Sequence, residues 1–196
     1  MDAMLCRIDM HTGDLDAADA WYREKAPCEP THLNVMRRYQ YLTQAMVEIM
    51  QNRPDAALLT LSPMEPYIQN CARIIDGIHL NVLTAIALRR KKDERWRERL
   101  TAALGAAAEY RFIRTVSVYG TAVLPLLGAL EWDGDKKWYK QLMAAVRMQA
   151  AFYPHFLEPR LAPGEELTPT ELQILHLICA DKSNAEIAQI MDVKLP

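Results

Sequence analysis

Glycine is scarce in this chain, with 7 among 196 residues, and aromatic residues make up only 8%. Val and Ile are present but nowhere alternate with polar residues over a strand's length, so no strand signal exists. Alanine, leucine, methionine, glutamate, arginine and glutamine are plentiful instead, and all are good helix formers. The hydrophobic fraction of 51% can fill a core. The expected fold is all-α, long enough for one ordinary domain plus an appendage.

Other absences narrow the function. The four cysteines, Cys6, Cys28, Cys71 and Cys179, form no CxxC pair, which argues against a zinc site or a disulfide framework and fits reduced thiols in the cytoplasm. The five histidines are dispersed, with no HExxH or other ligand pair, so no metal is expected. Asp133 and Asp135 flank Gly134 in a plain turn that lacks the further oxygen ligands of a calcium loop. No apolar run approaches the ~20 residues of a membrane span, and Met1-Asp2-Ala3-Met4 lacks the basic start of a signal peptide. Leu5 to Met10 already reads as mid-helix sequence, which suggests an artificial or internal start. A net charge of -2 excludes a wholly basic nucleic-acid binder. No nucleophile elbow or Ser-His-Asp arrangement occurs, so no enzyme is expected.

What is present is a succession of helical hairpins. In GDLDAADAWY, Gly13 suits a left-handed helix end and Asp14 the next N-cap, with Ala17, Ala18, Trp21 and Tyr22 at helical spacing. This helix should end near Pro27 and Pro30. A longer one is expected from Thr31 to Gln51, with Val35, Met36, Tyr39, Leu42, Met46, Ile49 and Met50 as its apolar stripe. RPDAALLTL then repeats the layout about forty residues on, with Pro54 opening a helix that carries Ala57, Leu58 and Leu61. Asn70–Arg90 should follow, with Ile74, Ile75, Ile78, Val82, Leu83 and Ile86 inward. Asp93 is placed to cap Glu94–Ala108. A less regular pair, Ile113–Tyr119 and Thr121–Glu131, is split by Gly120, and Pro125 should kink or shorten its second member. Trp132 to Asp135 is a loop, and a last long helix, Lys136–Tyr153, has Leu142, Val146 and Phe152 near one face.

Repeated hairpins with a period somewhat above that of tetratricopeptides predict a tetratricopeptide-like helical array over residues 1–158, forming a superhelix. Its concave face is the natural groove for an effector or partner, and Trp21, Tyr39, Tyr41, Tyr67 and Tyr110 are the aromatic candidates. Most aromatics at such spacing are packing residues. The run Arg89–Arg99 reads as a solvated turn laced with i,i+4 pairs. Pro159, Pro163 and Gly164 mark a linker over 159–166.

Residues 167–196 read LTPTELQILHLICADKSNAEIAQIMDVKLP. Thr168-Pro169-Thr170-Glu171 satisfies a capping box with proline at the first helical position, and Ser183-Asn184-Ala185-Glu186 repeats the device. Leu172, Leu175, Ile178 and Cys179 form one stripe, and Ile187, Ile190 and Met191 the other. Ala185 and Ala188 are small enough for close crossing. The register Leu167, Thr168, Pro169, Glu171, Leu175, Ser183, Asn184, Glu186, Ile187 and Ala188 resembles the opening of the LuxR-type helix-turn-helix domain. Upstream, the repeat array and ALGAAAEYRFIRTVSVYGTAVLPLL resemble the large maltose-regulator-like subgroup, which joins an ATP-binding module, a tetratricopeptide-like sensor and a C-terminal LuxR-type domain.

The resemblance implies the sensor region of a cytoplasmic transcriptional regulator. An inducer or protein effector would bind the array, and DNA would be the partner of the intact protein. RNA polymerase and a second copy of the chain are compatible further partners. Thr168, Ser183, Asn184 and Lys194 are the implied DNA-backbone contacts. The family pattern differs at Thr170, often basic, at Asp181, often glycine, and at Lys194, often a capping serine. The recognition helix that follows such a segment is absent from these residues, and no P-loop occurs, so the chain is expected to be a piece cut inside its DNA-binding domain. ATP is expected only in a separate N-terminal module. The piece alone should not bind DNA in a sequence-specific way. The alternative is a tetratricopeptide-like interaction scaffold whose last two helices merely cap the array.

Overall fold

The computed structural model of the chain describes residues 2–27, 34–159, 169–179 and 182–191. Every regular element among them is helical. The contacts divide the chain into two compact units, Met1–Arg160 and Leu161–Pro196.

The first unit is built from sequence-adjacent helices that pack as pairs. α1 (Asp2–Thr12) packs on α2 (Leu15–Lys25), and α3 (Arg38–Met50) on α4 (Pro54–Leu61). α6 (Ile74–Arg90) packs on α7 (Trp96–Glu109), and α9 (Gly120–Gly128) on α10 (Lys136–Phe152). A short α5 (Met64–Asn70) lies against α6, and a single turn, α8 (Arg114–Ser117), packs on α6 and α10. Successive pairs are joined through both members, with α1 and α2 on α3, α3 and α4 on α6, and α6 on α8 and α9.

One turn recurs between these helices. A residue with positive φ follows α1, α3, α5, α6 and α7, and the next N–H bonds a carbonyl five residues back. The left-handed residues are Gly13 (φ 85°), Asn52 (56°), Ala72 (48°), Lys92 (58°) and Arg111 (58°). The closing bonds are Asp14 N–H to Asp9 O, Arg53 to Glu48, Arg73 to Ile68, Asp93 to Leu88 and Phe112 to Ala107, at 2.8–3.2 Å. Each satisfies a carbonyl that the helix end would leave bare. The glycine was legible; the four others adopt the same conformation without one.

N-termini follow sequence logic in part. Asp14 accepts from the Ala17 N–H at 3.0 Å and Asp135 from the N–H groups of Lys137 and Trp138, while Pro54 opens α4. Asp93, expected to cap the next helix, instead sits in the turn and accepts from the Arg95 N–H at 3.0 Å and the Arg95 guanidinium. α7 then starts at Trp96.

The core runs through both members of each pair. Trp96, Trp138, Tyr119, Phe156, Met10 and Met46 are fully buried. Ala18, Ala45, Ala57, Ala85 and Ala107 have no exposed surface and let helix axes approach closely. α6 is buried on several sides, through Ile78, Leu80, Val82, Leu83, Ala85, Ile86, Ala87 and Leu88, because it packs on α3, α4, α5, α7, α8 and α9. A helix enclosed in this way shows no single apolar stripe.

Several expectations are corrected. Thr31 lies outside the described residues. The helix expected from it begins at Arg38, after a 3-10 turn at Val35–Arg37 that breaks the 3.6-residue period. Met36 and Tyr39 are therefore exposed rather than inward. A break at Cys71–Arg73 separates α5 from α6, and Ile75, in α6's first turn, points to solvent. Phe152 is 73% exposed at the end of α10. The less regular pair is shorter than expected, and α9 ends three residues after Pro125, which has no N–H to give the ladder.

Candidate functional site

In the second unit, α11 (Pro169–Cys179) and α12 (Asn184–Ile190) are joined by a short turn, closed by a Lys182 N–H to Leu177 O bond at 3.1 Å. Ser183 is extended, with φ -70° and ψ 157°, and caps α12. Its hydroxyl accepts from the Glu186 N–H at 3.4 Å and donates to the Glu186 carboxylate at 2.8 Å. That carboxylate accepts in turn from the Ser183 N–H at 2.9 Å, completing the capping box. The backbone N–H and hydroxyl of Ser183, with Lys182 nearby, hold the Glu186 carboxyl below its ordinary range.

Ile187 and Ala188 are buried, whereas Leu175, Ile178, Cys179 and Ile190 are exposed, contrary to the expected stripes. Two helices this short carry more apolar surface than they can cover for each other. Ser183 and Asn184 are exposed at the start of α12. Thr168, Asp181 and Lys194, with the capping box expected at Thr168, lie outside the described residues.

Residues 165–195 match the family model of bacterial regulatory proteins, luxR family. The match covers α11 and α12, so these two helices are similar to the helix-turn-helix region of that family. No curated protein and no solved structure matches the chain. The match falls within the second unit, and the first unit lies outside it.

The five aromatic groove candidates are not brought together. Trp21 and Tyr41 are core residues at 6% and 5% exposure, and Tyr41 uses its hydroxyl to accept from the Asn34 N–H. Tyr67 is half-buried against the core. Tyr39 and Tyr110 are exposed, on α3 and just after α7. Tyr110 stacks on Phe112 and lines a shallow groove with Ala72, Arg73, Ile74 and Asp76. Two residues apart on one helix, Tyr39 and Tyr41 have opposite fates because successive helical side chains lie about 100° apart.

Two polar clusters in the first unit had no sequence signal, since their members are tens of residues apart. In one, the buried Glu48 carboxylate accepts from the Tyr22 hydroxyl and from Gln44, each at 3.0 Å. Arg53 lies over the Tyr22 ring. Burial first, then Glu48, raises the Tyr22 phenol above its usual range.

In the other, the Arg7 guanidinium of α1 lies 3.7 Å above the Tyr39 ring. It donates through Nε to the Thr43 hydroxyl at 2.7 Å and through Nη2 to the Tyr39 carbonyl at 3.2 Å. His79 of α6 pairs through Nδ1 with the hydroxyl of the fully buried Tyr119 at 2.9 Å. Burial, then the Arg7 charge, pushes the His79 imidazolium down to about 4, with Asp76 opposing. His11 stacks on Phe156, and its Nδ1 meets the Arg7 carbonyl at 2.7 Å.

The basic run at Arg89–Arg99 is largely neutralised. Lys91 pairs with Asp55, Arg95 with Asp93, Arg97 with Glu94 and Arg99 with Glu65. Arg90 donates to the Ile49 and Leu157 carbonyls. This is a solvated turn rather than a phosphate-tracking patch. Among the described residues no group of acids, histidines and cysteines is arranged to hold a metal, and no helix is long and apolar enough to cross a membrane.

Proposed function

We propose that the chain comprises a sensing region and a LuxR-type helix-turn-helix segment of a bacterial transcriptional regulator. The observation that carries this reading is the coincidence of the SNAEIA motif, the complete capping box at Ser183 and the LuxR-family match over the same residues. A capped pair of short helices alone would be generic; the residue identities at their start are not.

In this reading the paired helices of residues 1–158 form a tetratricopeptide-like array. Effector binding there shifts an equilibrium between closed and DNA-competent states. Thr168, Ser183, Asn184 and Lys194 contact phosphate oxygens, which position a helix-turn-helix on the duplex but read no sequence. Base reading belongs to a recognition helix in the major groove. The pairing of α1–α2, α3–α4 and α6–α7, with first members packed in succession, supports an array. The inserted α5 departs from a strict two-helix repeat.

The test is selection from a randomised duplex pool. The product of the complete gene should enrich a defined sequence. The 196 residues alone should bind the same duplexes weakly, with affinity falling steeply as salt rises. A complete gene product that enriches nothing refutes the reading.

A further inference from the structure

A cavity of about 240 Å³ lies between α4, α5, α6 and α7 of the first unit. Pockets for drug-sized ligands hold roughly 300–1,000 Å³, so this one suits a smaller metabolite. Leu61, Leu80 and Leu88 form its floor, each at most 6% exposed, with the half-buried Leu58 beside them. The floor carries no charge.

The mouth carries charges of both signs. Glu65 and Glu98 line it together with Arg95 and Arg99. Arg99 is fixed by a two-pronged ion pair to Glu65 and by the Asn81 side-chain oxygen at 3.3 Å. Asp93 engages Nε and Nη2 of the exposed Arg95 and leaves Nη1 open. Glu98 is exposed and Thr84, on the cavity wall, is half-buried. Among the described residues neither makes a hydrogen bond or an ion pair. A carboxylate, a hydroxyl and part of a guanidinium on the lining therefore remain available to a ligand.

This division of charge selects a ligand class. An alkyl carboxylate or phosphate seated on the leucines would set its charge against Glu65 and Glu98. An alkylamine would set its own against Arg95 and Arg99. A molecule with both charges at one end and an apolar body at the other meets neither conflict. Its charges stay at the exposed mouth, so they need not be taken far from water. An α-amino acid with an apolar side chain has this form.

We propose that the cavity binds an apolar α-amino acid, with its side chain on Leu61, Leu80 and Leu88, its ammonium on Glu98 and its carboxylate on Arg95. The Thr84 hydroxyl supplies a further hydrogen bond. This rests on the sensing role proposed for the first unit and names the chemistry of its effector. Bound there, the ligand links α4 to α7 across α6 and so ties two successive helical pairs together.

The experiment is isothermal titration calorimetry of the 196-residue chain with leucine, methionine and phenylalanine. Each is compared with its deaminated and decarboxylated analogues, which for leucine are isocaproate and isoamylamine. At least one amino acid should bind, with its one-charge analogues about tenfold weaker or worse. Glu98→Gln, at an exposed position that the core does not use, should weaken binding about tenfold. Thr84→Phe, which fills the cavity, should abolish it. A one-charge analogue that binds as tightly as its parent overturns the proposal, as does undiminished affinity in Glu98→Gln or Thr84→Phe. No binding of any of the three amino acids at about 10 mM overturns it too. If Thr84→Phe fails to fold, Glu98→Gln decides. The duplex selection tests the regulator reading separately. A complete gene product that enriches a sequence, while the chain binds no amino acid, leaves that reading standing and removes this site.

Discussion

The imidazole Nδ1 of His79 lies 2.9 Å from the hydroxyl of Tyr119, and the two residues are 40 positions apart in the chain. The bond joins α6 to the turn after α8, and the Arg7 charge acts on the imidazole. Burial and that charge keep the imidazole neutral down to about pH 4, against an ordinary value of 6.5. The unfolded chain therefore binds more protons than the folded one between those values, so the unit's stability is complete above about pH 6.5 and declines as pH falls toward 4. The full loss is on the order of 3 kcal/mol, less to the extent that the half-buried ring reaches water. His79→Gln keeps a polar partner for Tyr119 but does not titrate. Urea unfolding at several pH values should show a shallower acid limb for the variant, and superimposable limbs would disprove the assignment.

The recurring turn makes a second prediction. Ala72, Lys92 and Arg111 hold a left-handed conformation that glycine adopts freely and other residues adopt at about 1–2 kcal/mol. Glycine gives back part of that gain, about 0.5–1 kcal/mol, through a more flexible unfolded chain. Ala72 is the cleanest position, being exposed and lacking side-chain bonds. Ala72→Gly should stabilise the unit by roughly 0.5–1 kcal/mol in chemical denaturation, whereas the β-branched Ala72→Val should destabilise it. Arg111→Gly should show less benefit, because it also removes the 2.6 Å ion pair with Asp135.

These same positions show where sequence reasoning reaches and where it stops. Gly13 followed by Asp14 announced its turn, because glycine and a capping acid at that spacing have few other uses. Asn52 makes the same turn with a residue that tolerates positive φ, and Ala72, Lys92 and Arg111 make it with residues that say little about φ. The capping box at Ser183 was legible since all its partners lie within three residues. The Arg7 cluster was not, because Thr43, His79 and Tyr119 come from helices that meet only in the folded unit. Likewise Tyr41 and Trp21 looked like groove aromatics and proved to be core, since periodicity tells that a residue lies on a face but not which neighbour covers it.

Two glycines should respond oppositely to a methyl group. Gly120 has φ 36°, and a Cβ there would stand 3.2 Å from the Ala150 backbone nitrogen and within 3.3 Å of Gln149 backbone. α9 thus meets α10 at a point with no room for a side chain. Gly120→Ala should cost about 1–3 kcal/mol through strain and displacement of α10. Gly105 lies inside α7, exposed, with nothing within 4 Å of its would-be Cβ. Gly105→Ala should stabilise by about 1 kcal/mol through helix propensity alone. Thermal melts of the two variants check the contrast, and a common sign for both would contradict the packing described.

In the second unit, the start of α12 depends on one reciprocal pair of bonds. Ser183→Ala removes the acceptor for the Glu186 N–H and the hydroxyl that steadies the Glu186 carboxylate. The helix has only seven residues, from Asn184 to Ile190, so propagation offers little to offset a lost cap. The expected cost is about 1 kcal/mol. Because Ile187 and Ala188 are buried while Ile190 is exposed, little packing stands behind the helix to absorb that loss. Backbone amide exchange at Ala185–Ile187 should therefore rise about fivefold in Ser183→Ala, with exchange in α6 of the first unit unchanged. Ser183→Asp, which can cap and complements the helix N-terminus, should recover most of the protection. Unchanged exchange in Ser183→Ala would mean that α12 is held by something other than its cap.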